Sequence, residues 1–384
     1  MDLSQTPDTK SDENNHLIKA HLFSPVQPEF FFRQIPGSNP TLKGVTYTAG
    51  LVVPEDIDVL FVFGRGSYSI PTNLPRERTI FCEVEPDAVN PRNTRFLNQF
   101  GLVITSSEQE LKTEKWQQTN FSGWFVGVNF SGHGIKYEKN HDWFANLRPS
   151  NKIDKISIVT SNKNRKKRPY YGKRLQFIEE LQNIIPEHLE LYGRGFRSIG
   201  DKAEILLPYK YHLALENCTG RFTWTEKVAD PLLCWSYPFY FGCTNLEDDI
   251  PPDSFDYVEL QDPKGSAEKM VNAIQNKLWE KSLPAIEEAR NLMLKEFNIM
   301  FRISEVAKIV MDRPVVEWPK KPRLIRSDRS LRPDGIGKGT VFDWLLRSTL
   351  IMIDPKIELR LSGLHYWYMN KRNKRRKRRF ERNK

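Results

Sequence analysis

The sequence is poor in cysteine and has no long run of uncharged apolar residues. Its four cysteines (Cys82, Cys218, Cys234 and Cys243) include no CxxC pair and no metal-ligand spacing. We therefore expect reduced thiols rather than a disulfide framework or a zinc site. No stretch approaches the ~18 apolar residues of a membrane span, and the polar residues 1–16 do not resemble a signal peptide. These absences predict a cytoplasmic protein.

Positive charge is concentrated at the C-terminus. Residues 371–384 contain ten Lys or Arg and one Glu, so they carry +9 of the net charge of +10. The nearly neutral remainder disfavours a nucleic-acid-binding domain, in which basic residues would be distributed over a folded face. The aromatic segment 364–369 just before this tail favours peripheral contact with the inner membrane surface. A solvated tail without a partner is the alternative.

The chain length and the apolar pattern predict two α/β domains. A chain of 384 residues is long enough for two cores with a cleft between them. Short apolar runs at 58–63, 79–82 and 102–105 predict parallel strands of a first sheet, and a second series of strands and helices begins at 156. We predict two Rossmann-like domains facing a cleft, followed by C-terminal helices and a basic tail. The predicted boundaries are 1–150, 151–311, 312–370 and 371–384.

Two features near the C-terminus remain open to interpretation. The helical pattern after residue 265, including a long run over 284–301, predicts helices that cap the second domain. The apolar run 341–353 is too short to span a membrane, so we expect either a helix packed on the body or an interfacial helix.

A group of chemically distinctive residues follows a predicted strand at 211–215. Glu216 and Asn217 fall at the carboxyl end of this strand, where open α/β sheets bind their ligands. Thr225 can cap the next helix, so that its first amides and the Lys227 ammonium face the same space, which suits a diphosphate. Glu226 could then bind ribose hydroxyls. The alternative is an ordinary capped helix with a surface Glu–Lys pair.

The order of these features resembles the donor-binding signature of family 10 glycosyltransferases. In residues 209–258 a strand leads to Glu-Asn, a glycine, an aromatic residue, Thr-Glu-Lys, an apolar helix, an aromatic strand with a glycine, and Pro-Pro-Asp-Ser-Phe. This family comprises α-1,3/1,4-fucosyltransferases, and the lack of a signal anchor indicates a bacterial or viral member. The resemblance implies a GT-B-like fold, GDP-fucose as donor substrate, a glycan acceptor, and no metal or other cofactor.

The resemblance also implies roles for residues outside the motif. Arg174 matches a basic residue that contacts the nucleotide diphosphate, and Arg194 is a secondary donor-binding candidate. The basic loop 162–168 either closes over the phosphates or stays solvated. The segment Cys82–Pro86 resembles the part of the family that carries the general base, for which we select Glu85 and keep Glu83 as the rival. Two solvent-facing carboxylates at a strand end are the alternative.

The implied reaction is an inverting displacement. The base takes a proton from an acceptor hydroxyl, and Glu216 stabilises developing positive charge or holds a fucose hydroxyl. Arg221 and Trp224 depart from the family pattern, so a different nucleotide sugar stays open as donor. A non-catalytic protein that binds glycans, or binds nucleic acid through its basic tail, is the other alternative.

Overall fold

The structure is a computed structural model that describes residues 17–119, 121–131, 134–162, 169–334 and 340–362. The strands are β1 (Ile18–Phe23), β2 (Thr41–Leu42), β3 (Val45–Gly50), β4 (Val59–Phe63), β5 (Ile70–Thr72), β6 (Thr79–Cys82), β7 (Leu102–Thr105), β8 (Glu114–Gln117), β9 (Val128–Asn129), β10 (Lys136–Tyr137), β11 (Ile153–Val159), β12 (Leu189–Tyr192), β13 (Tyr209–Gly220), β14 (Tyr237–Cys243), β15 (Asp256–Tyr257) and β16 (Arg323–Ile325). The helices are α1 (Pro28–Phe32), α2 (Thr94–Leu97), α3 (His141–Asn146), α4 (Pro169–Ile184), α5 (Ala203–Leu206), α6 (Glu226–Leu233), α7 (Pro263–Gln275), α8 (Leu278–Leu294), α9 (Ile299–Met311) and α10 (Val341–Ile353).

The first sheet has the strand order β2-β3-β1-β4-β6-β7-β8. Every pairing is parallel except that of β2 with β3. All five residues of β4 and all four residues of both β6 and β7 are buried, as continuous apolar runs predict for parallel strands covered on both faces. The bounds of β6 and β7 agree with the prediction, whereas β1 and β3 were not predicted.

The second sheet is entirely parallel, with the order β12-β11-β13-β14-β15. Aromatic side chains fill its core, where Tyr211 and Phe239 stack with ring centroids 5.6 Å apart. Each of α4 and α6 follows a strand and leads to the next parallel one, which is the crossover connection that parallel strands need. Two parallel sheets covered by helices confirm the predicted α/β class with two Rossmann-like units.

Helix α9 packs on the first sheet, which corrects the expectation that every helix after residue 265 caps the second domain. The predicted run over 284–301 is interrupted, because α8 ends at Leu294 and the Asn298 side chain accepts a hydrogen bond from Met300 N to start α9. The apolar residues of α9 that join the first-sheet core are Ile299, Met300, Ile303, Val306, Ala307 and Val310. The spacing of the apolar residues predicts that one face of the helix is buried, but it does not predict which sheet that face contacts.

Polar contacts hold the C-terminal segment on the first domain. Strand β16 pairs antiparallel with β5, so the predicted connector 312–340 contributes a strand. The buried Glu358 carboxylate accepts hydrogen bonds from Ser69, Ser327 and Arg347. Helix α10 has the predicted bounds, but within it only Ile351 is buried.

Among the described helices, none combines the length and the apolar character needed to cross a bilayer. The aromatic segment 364–369 and the basic tail 371–384 lie outside the described residues.

Candidate functional site

The carboxyl end of β13 places Glu216 at the centre of a buried ionic cluster. Glu216 is 1% exposed. One of its oxygens accepts hydrogen bonds from Thr225 N at 2.8 Å and Thr225 Oγ1 at 2.7 Å, and the other lies 3.0 Å from Lys227 Nζ. Gly242 on the adjacent strand allows this arrangement, because a Cβ there would lie 2.4 Å from the Glu216 side chain. The glycine of the motif therefore makes room for the carboxylate.

The start of α6 is capped as predicted. Thr225 is the N-cap residue, and its side chain accepts a hydrogen bond from Lys227 N. The Lys227 ammonium lies 3.4 Å from Glu226 as well as 3.0 Å from Glu216. Burial alone would lower the pKa of Lys227, but these two carboxylates outweigh it and raise the pKa above its usual value. Lys227 is thus a firmly charged ammonium.

The first-turn amides of α6 already have partners within the protein. Glu226 N donates to Ser122 Oγ at 3.2 Å and Val228 N donates to the Thr225 carbonyl at 3.2 Å. The expectation that these amides face an anion as a group is therefore not met. Positive charge at this edge comes from side chains.

Arg174 on α4 joins the same edge, as the sequence predicts. Its guanidinium donates hydrogen bonds to Asn217 Oδ1 and, at 3.2 Å, to Thr160 Oγ1. Its Nε is buried and has no partner among the described residues. The structure therefore brings five of the predicted donor-binding residues together around Glu216: Arg174, Asn217, Thr225, Glu226 and Lys227.

Sequence reasoning missed two members of this cluster, Lys202 and Asp230. Lys202 Nζ lies 2.7 Å from Asp230 and 3.5 Å from Glu226. Burial would raise the pKa of Glu226, but Lys227 and Lys202 together lower it to about 2. Lys202 precedes the short α5 and Asp230 lies within α6, so no local motif pairs them. Their pairing is visible only in the fold.

The complete cluster alternates in charge. Three cations (Arg174, Lys202 and Lys227) line one cavity of about 20 Å³ together with Asp230. Three carboxylates (Glu216, Glu226 and Asp230) lie among them. The two lysines and the three carboxylates each have a partner of opposite sign, which is the condition for keeping charges away from water. Arg174 is held instead by the neutral Asn217 and Thr160.

Arg194 is not part of this cluster. It lies on an exposed turn after β12, where its carbonyl accepts a hydrogen bond from Asn162 N. Within the described part of the chain, its side chain forms no ion pair with the cluster residues. The basic residues 163–168, expected either to cover a phosphate or to stay solvated, lie outside the described ranges.

The two carboxylates after β6 differ in burial. Glu83 is 3% exposed, whereas the side chain of Glu85 is 45% exposed and lies 3.9 Å from Arg65. Burial raises the pKa of Glu83, and hydrogen bonds from Thr105 and Ser106 oppose that rise. Glu83 is therefore the more deeply buried of the two carboxylates, and Glu85 is half-buried. Alternate residues of a strand lie on the same face, which would place Glu83 and Glu85 together. Strand β6 ends at Cys82, however, so this alternation does not extend to them.

Glu83 lies near enough to the end of β13 for its charge to act on the Cys218 thiol. Burial raises the pKa of the Cys218 thiol to about 12, and the Glu216 carboxylate adds to this. Smaller contributions to the same pKa come from Asp87 and Glu83 of the first domain. Cys218 follows Asn217 directly, so the carboxyl edges of both sheets lie within electrostatic reach of each other.

The segment 121–131 joins the two sheets at this edge. Ser122 accepts the hydrogen bond from Glu226 N, and Phe125 N donates to Asp230 Oδ1 at 3.0 Å. Gly127 N donates to Asp201 Oδ1 at 2.8 Å. The ionic cluster is therefore bound directly to residues that lead out of the first sheet.

The departures from the family pattern lie away from the cluster cavity. Trp224 is buried, donates to Asp249 at 2.6 Å and packs edge-to-face on Phe297. Arg221 is exposed and lies 3.5 Å from Asp248. No group of metal-ligating side chains occurs among the described residues.

The Glu226 carboxylate should make the free energy of unfolding depend on pH in the acidic range. Its pKa is about 2 in the folded protein against an ordinary value of 4.5, so its contribution is present above pH 4.5 and is lost as the pH falls toward 2. We expect the stability difference between wild type and Glu226→Gln to shrink between pH 6 and pH 3.5. Thermal unfolding across this range measures it, and a difference independent of pH would contradict the paired carboxylate.

Comparison with known proteins finds a family model that matches one segment of the chain. Residues 149–278 match the model of Glycosyltransferase family 10 (fucosyltransferase) C-term. The Alpha-(1,3)-fucosyltransferase FucT of Helicobacter pylori is 29% identical over 133 residues, which cover 31% of this chain and 27% of that protein. The matched region thus spans about a quarter of this relative.

Solved structures give similarities over a larger part of the chain. A crystal structure of an alpha1,3-fucosyltransferase aligns with a TM-score of 0.48 and 16% identity, over 83% of this chain and 96% of that one. An alpha1,3-fucosyltransferase with GDP-fucose aligns with a TM-score of 0.47 and 15% identity, over 79% of this chain and 93% of that one. The resemblance to glycosyltransferase family 10 is confirmed by the match over residues 149–278, the segment that carries the ionic cluster.

Proposed function

We propose that the protein is an inverting glycosyltransferase that transfers fucose from GDP-fucose to a hydroxyl of an acceptor glycan. The observation that carries this proposal is the ionic cluster at the start of α6, which lies within the family 10 segment and opposite a buried carboxylate. The match to a fucosyltransferase family and to the H. pylori enzyme supports fucose as the transferred sugar.

Arg174 and Lys227 are the proposed contacts of the donor diphosphate. Arg174 presents a buried Nε without a partner among the described residues, and Lys227 is held charged by its two carboxylate neighbours. A planar guanidinium and a fixed ammonium suit the oxygens of a diphosphate. Asn217 orients the Arg174 guanidinium through its hydrogen bond, and Glu226 is the proposed partner of the ribose hydroxyls.

Glu216 takes a different role from the one implied by the resemblance. Both of its oxygens are engaged by Thr225 and Lys227. A carboxylate bound in this way holds the ammonium and the helix cap in position. We therefore assign Glu216 to the support of Lys227 rather than to direct contact with the transferred sugar.

Glu83 is the proposed general base. Its carboxylate removes the proton of the acceptor hydroxyl while that oxygen forms a bond to the anomeric carbon of fucose. The bond from the anomeric carbon to the phosphate oxygen breaks, and its electron pair leaves with GDP. Attack and departure on opposite faces invert the anomeric centre. A buried carboxylate whose pKa is raised is better matched to this work near neutral pH than the half-buried Glu85, which lies beside Arg65.

Loss of the Lys227 ammonium should weaken nucleotide binding. We expect Lys227→Ala to bind GDP about 10- to 100-fold more weakly than wild type, because a charged hydrogen bond contributes roughly 1.5–3 kcal/mol. The exposed Lys281 on α8 provides a matched control, and Lys281→Ala should keep the wild-type affinity. Calorimetric titration with GDP, GDP-fucose and UDP measures both variants.

The outcomes of this titration separate the alternatives. Failure of wild type to bind any of the three nucleotides would reject the transferase proposal. Tighter binding of UDP than of GDP would instead favour a different nucleotide sugar. Equal GDP affinity of wild type and Lys227→Ala would remove Lys227 from the donor site.

Replacement of Glu83 or Glu85 by neutral glutamine should show which of the two is the general base. Glu83→Gln should lower kcat by roughly 10²- to 10⁴-fold, which is the usual contribution of a general base. The near-surface Glu85→Gln variant is expected to stay within about threefold of wild type. Release of GDP from GDP-fucose in the presence of a panel of glycan acceptors measures kcat, and the opposite ranking would restore Glu85 as the base.

Peripheral membrane contact through α10 is a second proposal. The helix exposes an apolar stripe at helical spacing, formed by Val341, Phe342, Leu345, Leu346, Met352 and Ile353. The polybasic sequence 371–384 follows along the chain and would be attracted to anionic lipid. Such a helix suits the membrane interface, in keeping with a cytoplasmic protein at the inner membrane surface.

Sedimentation with vesicles tests this contact. Wild type should co-sediment with vesicles containing phosphatidylglycerol but only weakly with neutral phosphatidylcholine vesicles. Replacement of Phe342 by Ser, or deletion of 371–384, should reduce this binding while GDP affinity is kept. Equal binding of both variants and wild type would exclude α10 and the tail as the membrane contact, and a tail that binds DNA instead would favour the nucleic-acid alternative.

A further inference from the structure

All the hydrogen bonds to the Glu83 carboxylate converge on one of its oxygens. Oε2 accepts from Thr105 Oγ1 at 2.8 Å, from Ser106 N at 2.8 Å and from Ser106 Oγ at 2.9 Å. Oε1 accepts no hydrogen bond from the described residues, and it is not among the fully buried polar atoms that lack a partner. The two oxygens of one carboxylate are therefore chemically different.

The parallel register of the first sheet produces this arrangement. Cys82 at the end of β6 lies beside Ile104 of β7, and Glu83 N donates to the Ile104 carbonyl. Glu83, which follows β6, thus meets Thr105 at the end of β7 and Ser106 just after it at the same edge. Neighbouring strands that end together bring residues more than twenty positions apart into contact.

The hydroxyl of Thr105 is oriented as well as close. Its oxygen accepts a hydrogen bond from Ser107 N at 3.0 Å, so its single hydrogen remains for Glu83. Ser107 in turn donates its own hydroxyl to Asp87 at 2.5 Å. This chain of hydrogen bonds fixes the direction in which Thr105 donates.

The titratable groups around Glu83 come from three parts of the chain. Asp87 lies on the loop that follows Glu83, and the buried Arg92 is within electrostatic reach. The neutral Cys218 thiol, near the end of β13, is a titratable group within reach from the second sheet. Burial and Asp87 raise the pKa of Glu83, whereas the donors on Thr105 and Ser106 lower it. The hydroxyls therefore favour the ionised form that a base requires.

We infer that Thr105 and Ser106 are positioning residues for Glu83, holding Oε2 so that Oε1 takes the proton of the acceptor hydroxyl. The acceptor O–H bond breaks as its proton forms a bond to Oε1. The electron pair left on the acceptor oxygen forms the new bond to the anomeric carbon. The bond from that carbon to the phosphate oxygen breaks, and its electron pair departs with GDP. This inference rests on the proposed function, since it assigns the geometry of the base in that reaction.

Removal of single hydroxyls tests the inference through the pH profile. Ser106→Ala removes one donor and keeps the backbone donor, and Thr105→Val removes the other hydroxyl. In each variant we expect the acidic limb of the kcat profile to move up by about one pH unit, because hydrogen bonds to a carboxylate favour its charged form. At one pH unit below the midpoint of the wild-type limb, kcat of each variant should be about tenfold lower than that of wild type. At the high-pH plateau, kcat should stay within about threefold of wild type.

Thr105→Ser is the matched control, because it keeps the hydroxyl and should retain the wild-type profile. A profile in Ser106→Ala and Thr105→Val that is unchanged, or lowered equally at every pH, would overturn the inference, since a merely structural role predicts a uniform loss.

A second readout separates this inference from the proposed function. Titration of ¹³C-labelled glutamate by NMR, with the Glu83 signal assigned through Glu83→Gln, follows the carboxylate without turnover. Wild type that releases no GDP from GDP-fucose counts against the proposed function. A Glu83 titration that moves to higher pH in Ser106→Ala supports the role of the hydroxyl, whether or not wild type releases GDP. A titration that does not move overturns the inference.

Discussion

Most buried charges at the edge of the second sheet are paired with a charge of opposite sign, and this constraint organises the site. An unpaired carboxylate or ammonium in such surroundings would cost several kcal/mol, or would lose its charge. The protein satisfies the constraint by alternating signs, from Glu216 through Lys227, Glu226 and Lys202 to Asp230. Lys227, which we propose for the donor, is therefore held charged and in a fixed position before any ligand arrives.

The same cluster ties the two halves of the protein together. Asp230 binds the backbone of Phe125, and the amide of Glu226 binds Ser122. Both partners belong to the segment that leaves the first sheet, so the start of α6 depends on the first domain for its hydrogen bonds. Helix α9 returns in the opposite direction and buries its apolar face against the first sheet. The chain thus crosses between the sheets twice within its described part.

The first domain also buries a charged group, the single carboxylate of Glu83. Glu83 has no salt-bridge partner within 4 Å among the described residues, and its charge is supported by hydroxyl and amide donors instead. Support of this kind leaves the group able to change its protonation state, which suits proton transfer better than an ion pair does. The two domains therefore present different chemistry to the same space: fixed charge on one side and an adjustable carboxylate on the other.

The sequence alone determined the features that depend on neighbouring residues. Continuous apolar runs predicted β6 and β7, and Thr225 predicted the start of α6, because burial period and capping are local properties. The tertiary structure alone decided three others: the burial of Glu83 rather than Glu85, the pairing of Lys202 with Asp230, and the packing of α9 on the first sheet. Each depends on which strands become neighbours, and residues far apart in the chain are brought together by sheet order, which no local pattern encodes.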